Sequence, residues 1–135
     1  MNEMSSLGKF HHIGYATSTI EKDLESYTAL GFTKDGDFFT DPIQKIKGVF
    51  LRLGDYRLEL LAPLSEDSPI NGFINKKIKM YHHGFTVNNF DEAMIFLKNL
   101  RAILLSPPAP SVAFNGKRIA FFMLKNRDIV EIIET

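Results

Sequence analysis

The apolar positions of the chain change their spacing in the same order twice. In the first half, residues 10–17 form a short aromatic run typical of a β-strand, and an apolar stripe at helical spacing follows. Residues 46–53 and 56–62 are apolar runs on either side of Gly54-Asp55, which predicts a hairpin. The helical stripe consists of Ile20, Leu24, Tyr27 and Leu30, with Thr19 as the predicted N-cap and Gly31 after the last turn.

The second half repeats this order. Residues 81–87 predict a strand, Asn89 predicts a helix N-cap, and residues 118–124 and 129–134 predict a second hairpin. A shift of 70 residues places the second apolar stripe on the first. We therefore predict an α+β fold of two tandem βαβββ modules, with about eight strands and a helix behind each half. The second stripe consists of Phe90, Met94, Leu97 and Leu100.

These patterns also predict the domain organisation. Residues 1–8 are expected to form a flexible tail, and residues 9–135 a single domain. Within that domain, module one spans about residues 9–64 and module two about residues 80–135. The connector between them, about residues 65–79, begins in a turn-rich stretch and contains apolar positions that predict packing.

Composition excludes several classes of protein. The 135 residues carry no formal net charge, which argues against a general nucleic-acid binder. There is no cysteine, so disulfides and thiolate metal sites are excluded. No apolar run is long enough for a transmembrane helix, and the first residues do not resemble a signal peptide. A cytoplasmic protein without a membrane partner is the expectation.

Histidine and glutamate repeat with the duplication. The chain has only four histidines, in two adjacent pairs at 11–12 and 82–83. His12 and His83 lie 71 residues apart, and Glu59 and Glu131, each within an otherwise apolar strand, lie 72 apart. Successive side chains of a strand point to opposite faces, so only one histidine of each pair can line a cleft. Spacing alone does not choose between the two members.

This repetition predicts a metal site. A carboxylate in an apolar strand needs a cation, a proton or solvent to balance its charge. For either strand alone, a solvated sheet face is the simpler interpretation, but the same anomaly in both halves favours one shared site. Two imidazoles and two carboxylates suit one divalent ion such as Zn²⁺, Ni²⁺, Co²⁺ or Mn²⁺.

Four segments of the chain carry a recognisable pattern. They are Phe-His-His-Ile-Gly-Tyr-Ala at 10–16, Leu-Glu-Leu-Leu-Ala-Pro-Leu-Ser-Glu-Asp-Ser-Pro-Ile at 58–70, His82-His83 with Phe85 and Val87, and Ile-Val-Glu-Ile-Ile-Glu at 129–134. These segments resemble the signature segments of the vicinal oxygen chelate superfamily, and within it those of the methylmalonyl-CoA epimerases. The resemblance implies an open, barrel-like sheet around a metal cleft. It also implies that the second histidine of each pair is a ligand, so the expected metal ligands are His12, Glu59, His83 and Glu131.

The resemblance implies a metal-dependent isomerase or lyase of the glyoxalase or methylmalonyl-CoA epimerase type. In such enzymes the ion stabilises an enolate next to a carbonyl group while a carboxylate moves the proton. Glu131, or else Glu59, is the implied catalytic residue here, and a small acyl-CoA or thiol adduct is the implied substrate. The alternative is a non-catalytic small-molecule binder of the bleomycin-resistance type. Proteins of this superfamily are often dimers, which favours a homodimer.

The chain departs from the epimerase pattern at one important place. Epimerases carry a further Glu before the third strand, and that place falls here at Ile43 or Gln44. The nearest acid is Asp41, a weaker candidate for the proton-transfer base. The hairpin at residues 125–128 also lacks the acidic-Pro-Asp-Gly turn usual in glyoxalase I.

Overall fold

The computed structural model describes residues 6–135, and this part of the chain forms the predicted α+β fold. Its first half contains β1 (Lys9–Ala16), α1 (Ile20–Ala29), β2 (Thr33–Lys34), β3 (Phe39–Asp41), β4 (Ile46–Leu53), β5 (Tyr56–Pro63) and α2 (Asn71–Asn75). Its second half contains β6 (Met80–Val87), α3 (Phe90–Asn99), β7 (Ile103–Leu104), β8 (Ala109–Pro110), β9 (Arg118–Met123) and β10 (Ile129–Glu134), with a 3-10 turn at Val112–Phe114.

The described residues contain ten strands, five in each half, rather than the eight or so predicted. The difference comes from very short strands. The strands β2, β7 and β8 have two residues each, and a segment of that length cannot show the alternation by which a strand is predicted. The longer strands and both amphipathic helices lie where the hydrophobic pattern predicts them.

The described residues pack as two compact units. One unit is His12–Tyr81, and the other combines residues 6–11 with His82–Thr135. Within the first, the strand order is β2-β4-β5-β1, with β3 paired to β4. Within the second, the order is β6-β10-β9-β7, with β8 paired to β9. In each unit the long first strand runs parallel to the last one: β1 pairs with β5, and β6 with β10.

Each unit has its own apolar core beneath its long helix. In the first unit, Ile20 of α1 packs with Val49, Leu51, Leu58 and Leu60. In the second, three residues of α3 pack on the sheet, namely Phe90, Ala93 and Leu97. No helix in the described part of the chain is long and apolar enough to cross a membrane.

The predicted connector is packed onto the first unit. Ile70 is fully buried with Ala16, Ile46 and Leu61, and Phe73 and Ile74 of α2 cover this cluster. Of the predicted tail, residues 1–5 lie outside the described residues. Leu7 packs against the core of the second unit, and a side chain at Gly8 would meet the Thr86 carbonyl oxygen at 2.3 Å. The chain is therefore already held in place before β1 begins.

The two long helices begin at equivalent positions but are capped differently. The Asn89 side chain accepts a hydrogen bond from the Glu92 N–H at 3.0 Å, as expected of an N-cap. Thr19 occupies the N-cap position of α1 but makes no side-chain cap bond. Its own N–H donates to the Thr17 hydroxyl instead, at 3.0 Å. Gly31 follows α1 with a φ of +111°, as predicted for its C′ position.

This difference predicts unequal effects of alanine at the two caps. Asn89→Ala should lower the free energy of unfolding by about 1 kcal/mol, because an amide N–H of the first turn loses its acceptor. Thr19→Ala should cost less than half as much, because its side chain caps no helical N–H. Urea unfolding of both variants beside the parent protein measures the difference. Equal losses would contradict the assigned caps.

Candidate functional site

In the first unit, β1 and β5 place a histidine beside a glutamate. Gly14 is the register partner of Glu59, and His12 precedes Gly14 by two residues, so its side chain projects from the same face. Both side chains are buried, with His12 0% and Glu59 4% exposed. The His12 Nε2 atom lies 3.1 Å from Glu59 Oε1. Because Gly14 has no side chain, nothing on that residue separates the two groups.

The second unit builds the same pair from β6 and β10. Gly84 is the register partner of Glu131, and His82 precedes Gly84 by two residues. His82 is 1% and Glu131 is 3% exposed. The His82 Nε2 atom lies 3.2 Å from Glu131 Oε1. Both glutamates expected in the site are therefore buried beside an imidazole, and the His12 prediction agrees with this arrangement.

The structure differs from the sequence-based expectation at the other histidine. It places His82, rather than the expected His83, beside Glu131. His83 lies on the opposite face of β6, half-buried, with its ring 6.2 Å from that of Phe10. The physical reason is strand alternation, since a shift of one residue moves a side chain to the other face. We therefore correct the candidate ligand from His83 to His82.

A signal for His82 was present in the sequence. The shift of 70 residues that superimposes the two helices also relates His12 to His82 and Gly14 to Gly84. The spacing of 71 that points to His83 ignores the glycine two residues after each buried histidine. Pairing the histidines by the following glycine gives the observed arrangement.

Each buried histidine also contacts an aromatic ring, which the sequence analysis did not include among the site residues. The register partner of Glu59 on β4 is Phe50, and its ring meets that of His12 edge-on at 5.2 Å. The register partner of Glu131 on β9 is Phe121, which lies 5.4 Å from the His82 ring. These rings keep water away from the imidazoles and restrict their orientation.

Asp41, the weaker candidate for a base, organises a turn. Its carboxylate is buried, and Oδ1 accepts hydrogen bonds from the N–H groups of Ile43 and Gln44 at 3.0 and 3.1 Å. Asp41 is the register partner of Ile46, which places it on the same sheet face as Glu59. The place of the missing epimerase Glu is therefore a turn held by the Asp41 side chain.

The other acid of strand β10 has a different environment. Glu134 accepts a hydrogen bond from the Arg118 guanidinium at 2.8 Å. That hydrogen-bonded cation holds the pKa of Glu134 below its usual value. Glu134 stands three residues after Glu131, so alternation places it on the opposite face. It is an ion-pair partner of Arg118, outside the histidine–glutamate pair.

Comparison with known proteins identifies the family. Residues 11–121 match the Glyoxalase/Bleomycin resistance protein/Dioxygenase superfamily. The chain belongs to this superfamily. The expected relationship to vicinal oxygen chelate proteins is thus confirmed, as is the α+β fold.

Individual relatives within the superfamily include methylmalonyl-CoA epimerases. The chain is 33% identical to the mitochondrial methylmalonyl-CoA epimerase of Bos taurus, over 86% of this chain and 67% of that protein. The crystal structure of hypothetical protein BH1468 from Bacillus halodurans superimposes with a TM-score of 0.81. The two sequences are 30% identical, and 94% of each chain is covered. A Mycobacterium tuberculosis methylmalonyl-CoA epimerase has the same fold, with a TM-score of 0.84 at 23% identity, covering 98% of this chain and 92% of that one.

The superfamily implies a divalent metal ion, and the donor atoms in each unit fit one. Among the described residues, those suited to hold a metal are His12 and Glu59 in the first unit and His82 and Glu131 in the second, all buried. With metal–donor bonds of about 2.1 Å, adjacent donors lie about 3.0 Å apart around an octahedral ion and about 3.4 Å around a tetrahedral one. The separations of 3.1 and 3.2 Å within the pairs fit this range. The separation of His12 Nε2 from Glu59 Oε1 is also within hydrogen-bond length, so this pair can hold a proton or bind an ion.

The assignment of faces predicts unequal reactivity of the four histidines. In metal-free protein, diethyl pyrocarbonate should modify His11 and His83 before His12 and His82, because the latter pair reacts only when the structure opens locally. Tandem mass spectrometry of short peptides distinguishes the neighbouring residues. Faster modification of His82 than of His83 would contradict the assigned register of β6.

Proposed function

We propose that this protein is a metal-dependent epimerase of a small acyl-CoA, of the methylmalonyl-CoA epimerase type. The observation that carries the proposal is the duplicated buried pair, His12 with Glu59 and His82 with Glu131. The similarity to methylmalonyl-CoA epimerases supports the substrate class. In this proposal the two pairs together bind one divalent ion.

The chemistry requires the removal of a weakly acidic proton next to a carbonyl group. A bound divalent ion supplies positive charge that stabilises the enolate oxygen. The protein residues provide the remaining functions. His12 and His82 bind through Nε2, and the aromatic rings of Phe50 and Phe121 exclude water beside them.

Glutamate is the proposed acid–base group. A buried carboxylate beside a metal-bound carbonyl group is placed to move the proton of the adjacent carbon. We assign Glu131 as the residue that removes the proton, and Glu59 as the residue that stays with the ion. Asp41 is less suited to this role because its Oδ1 already accepts two N–H groups of the adjoining turn.

Metal binding tests the corrected ligand set. Wild-type protein loaded with Co²⁺ should retain about one ion per chain after desalting, measured by elemental analysis. His82→Ala should weaken binding at least about 10–100-fold, the range that loss of even an outer-shell partner costs. His83→Ala is the matched control because it removes the adjacent imidazole from the other face, and it should keep the ion. Loss in His83→Ala with retention in His82→Ala would restore the original sequence-based assignment.

Solvent exchange tests the reaction. In D₂O, metal-loaded protein should catalyse the incorporation of deuterium at C2 of methylmalonyl-CoA, which mass spectrometry measures. Removal of the metal with a chelator should abolish the exchange. Glu131→Gln should lower the rate by at least about 100-fold, the lower end of what acid–base catalysis contributes. Glu134→Gln is the control from the same strand and should leave the rate almost unchanged.

Other outcomes identify the competing functions. Turnover of a methylglyoxal–glutathione adduct without exchange of methylmalonyl-CoA would replace the epimerase with a glyoxalase-type lyase. Tight binding of a small molecule without any turnover would favour a non-catalytic binder. A loss of exchange in Glu59→Gln, but not in Glu131→Gln, would reverse the roles of the two glutamates.

A further inference from the structure

The two halves of the chain differ in the size of the residues next to their glutamates. In the first half, Phe39 of β3 is the register partner of Gly48 on β4. In the second half, the equivalent strands pair Ala109 of β8 with Ile119 of β9. In the first half the large residue lies on the short strand β3, whereas in the second half it lies on the long strand β9. One half presents an aromatic ring from its short strand where the other presents a methyl group.

The Phe39 ring lies directly over Gly48. A Cβ atom built on Gly48 would lie 2.5 Å from Phe39 Cζ and 3.1 Å from Leu61 Cδ2, so any side chain there would displace the ring. Phe39 also stacks on Phe50, with ring centroids 6.0 Å apart and planes inclined by 28°. The glycine and the stacking together fix the position of the Phe39 ring.

That position borders the glutamate of the site. Phe50 is the register partner of Glu59, and Gly48 is the register partner of Leu61, two residues further along β5. Residues two apart in a strand lie on one face about 7 Å from each other. The Phe39 ring over Gly48 therefore lies on the same sheet face as Glu59, next to the position of that carboxylate. Phe39 is half-buried, and it packs against the buried cluster that contains Leu61 and Ile70.

We propose that Phe39 forms a wall of the acyl pocket and limits the size of the alkyl group that the substrate carries next to its carbonyl. This inference rests on the proposed function, because it takes an acyl-CoA held at Glu59 as the ligand. Gly48 serves as the positioning residue that gives the ring its space. The chemical class of substrate is then a malonyl-CoA with a short 2-alkyl group, with Phe39 setting the upper limit of length.

A series of 2-alkylmalonyl-CoA esters tests the wall. In wild-type protein, the efficiency of deuterium exchange (kcat/KM) should fall from methyl- through ethyl- to butylmalonyl-CoA. Phe39→Ala should raise the butyl-to-methyl ratio of kcat/KM at least about tenfold, since one methylene in an apolar pocket alters discrimination by about 10- to 200-fold. Phe39→Leu should give an intermediate ratio, and it replaces Phe39→Ala as the test variant if the alanine variant folds poorly.

Phe38→Ala is the matched control. Phe38 precedes Phe39 but packs with the core beneath α1, and its ring lies 4.8 Å from the Lys47 ammonium and 5.3 Å from that of Lys34. The Phe38→Ala substitution removes an aromatic ring of the same size from the opposite face of the sheet. It should leave the butyl-to-methyl ratio unchanged, even where it lowers stability. A ratio that is unchanged in Phe39→Ala, or that rises as much in Phe38→Ala, would overturn the proposed wall.

Binding separates failure of this inference from failure of the proposed reaction. Calorimetric titration of the same esters into metal-loaded protein reports the pocket even where no exchange occurs. Relaxed discrimination in Phe39→Ala without exchange in any protein would keep the wall and reject the epimerase. Exchange by the wild type, with the same discrimination in Phe39→Ala, would keep the epimerase and reject the wall. No binding of any ester would reject both.

Discussion

The need of two buried glutamates for a partner governs the structure of this protein. An isolated carboxylate at the burial of Glu59 or Glu131 costs several kcal/mol, and only a proton, a cation or a hydrogen-bond donor offsets that cost. In each half the partner is an imidazole about one hydrogen-bond length away. The surrounding features follow from this pairing: a parallel neighbour strand, a glycine opposite the glutamate and an aromatic ring against the histidine. Stability alone would be served as well by apolar side chains, so the polar pair indicates a function.

The same pairing can hold a proton or a metal ion. An imidazole with a hydrogen on Nε2 can donate to a carboxylate, whereas an ion bound between the two groups would take the place of that hydrogen. Because metal ligands must be deprotonated, an ion bound at such a pair would compete with protons. Phe50 and Phe121 lie against the imidazoles and keep their surroundings apolar, which strengthens electrostatic interactions there.

Much of this arrangement could be predicted from the sequence because it depends on periodicity and repetition. The strand and helix periods located both long helices and both hairpins, and the isolated glutamates in apolar strands marked the site. The sequence did not show which member of the second histidine pair faces Glu131. His82 and His83 are adjacent, chemically identical and in the same strand, so only the register distinguishes them. The short strands β2, β7 and β8 and the uncapped start of α1 also depend on tertiary contacts. Thr19 has the right residue type for a cap, yet its N–H uses the Thr17 hydroxyl and its own side chain caps nothing.

The duplication separates what the chemistry needs from what it leaves open. The histidine, the glycine, the glutamate and the aromatic neighbour recur in both halves, because each contributes to holding the same pair of donor atoms. The next positions on the same face have diverged, with Phe39 over Gly48 in one half and Ala109 beside Ile119 in the other. Residues that serve packing alone tend to have neighbours of complementary volume. Both pairs meet this requirement, since each combines one large and one small side chain. An exchange of large and small residues conserves packing while it changes the shape presented to a ligand.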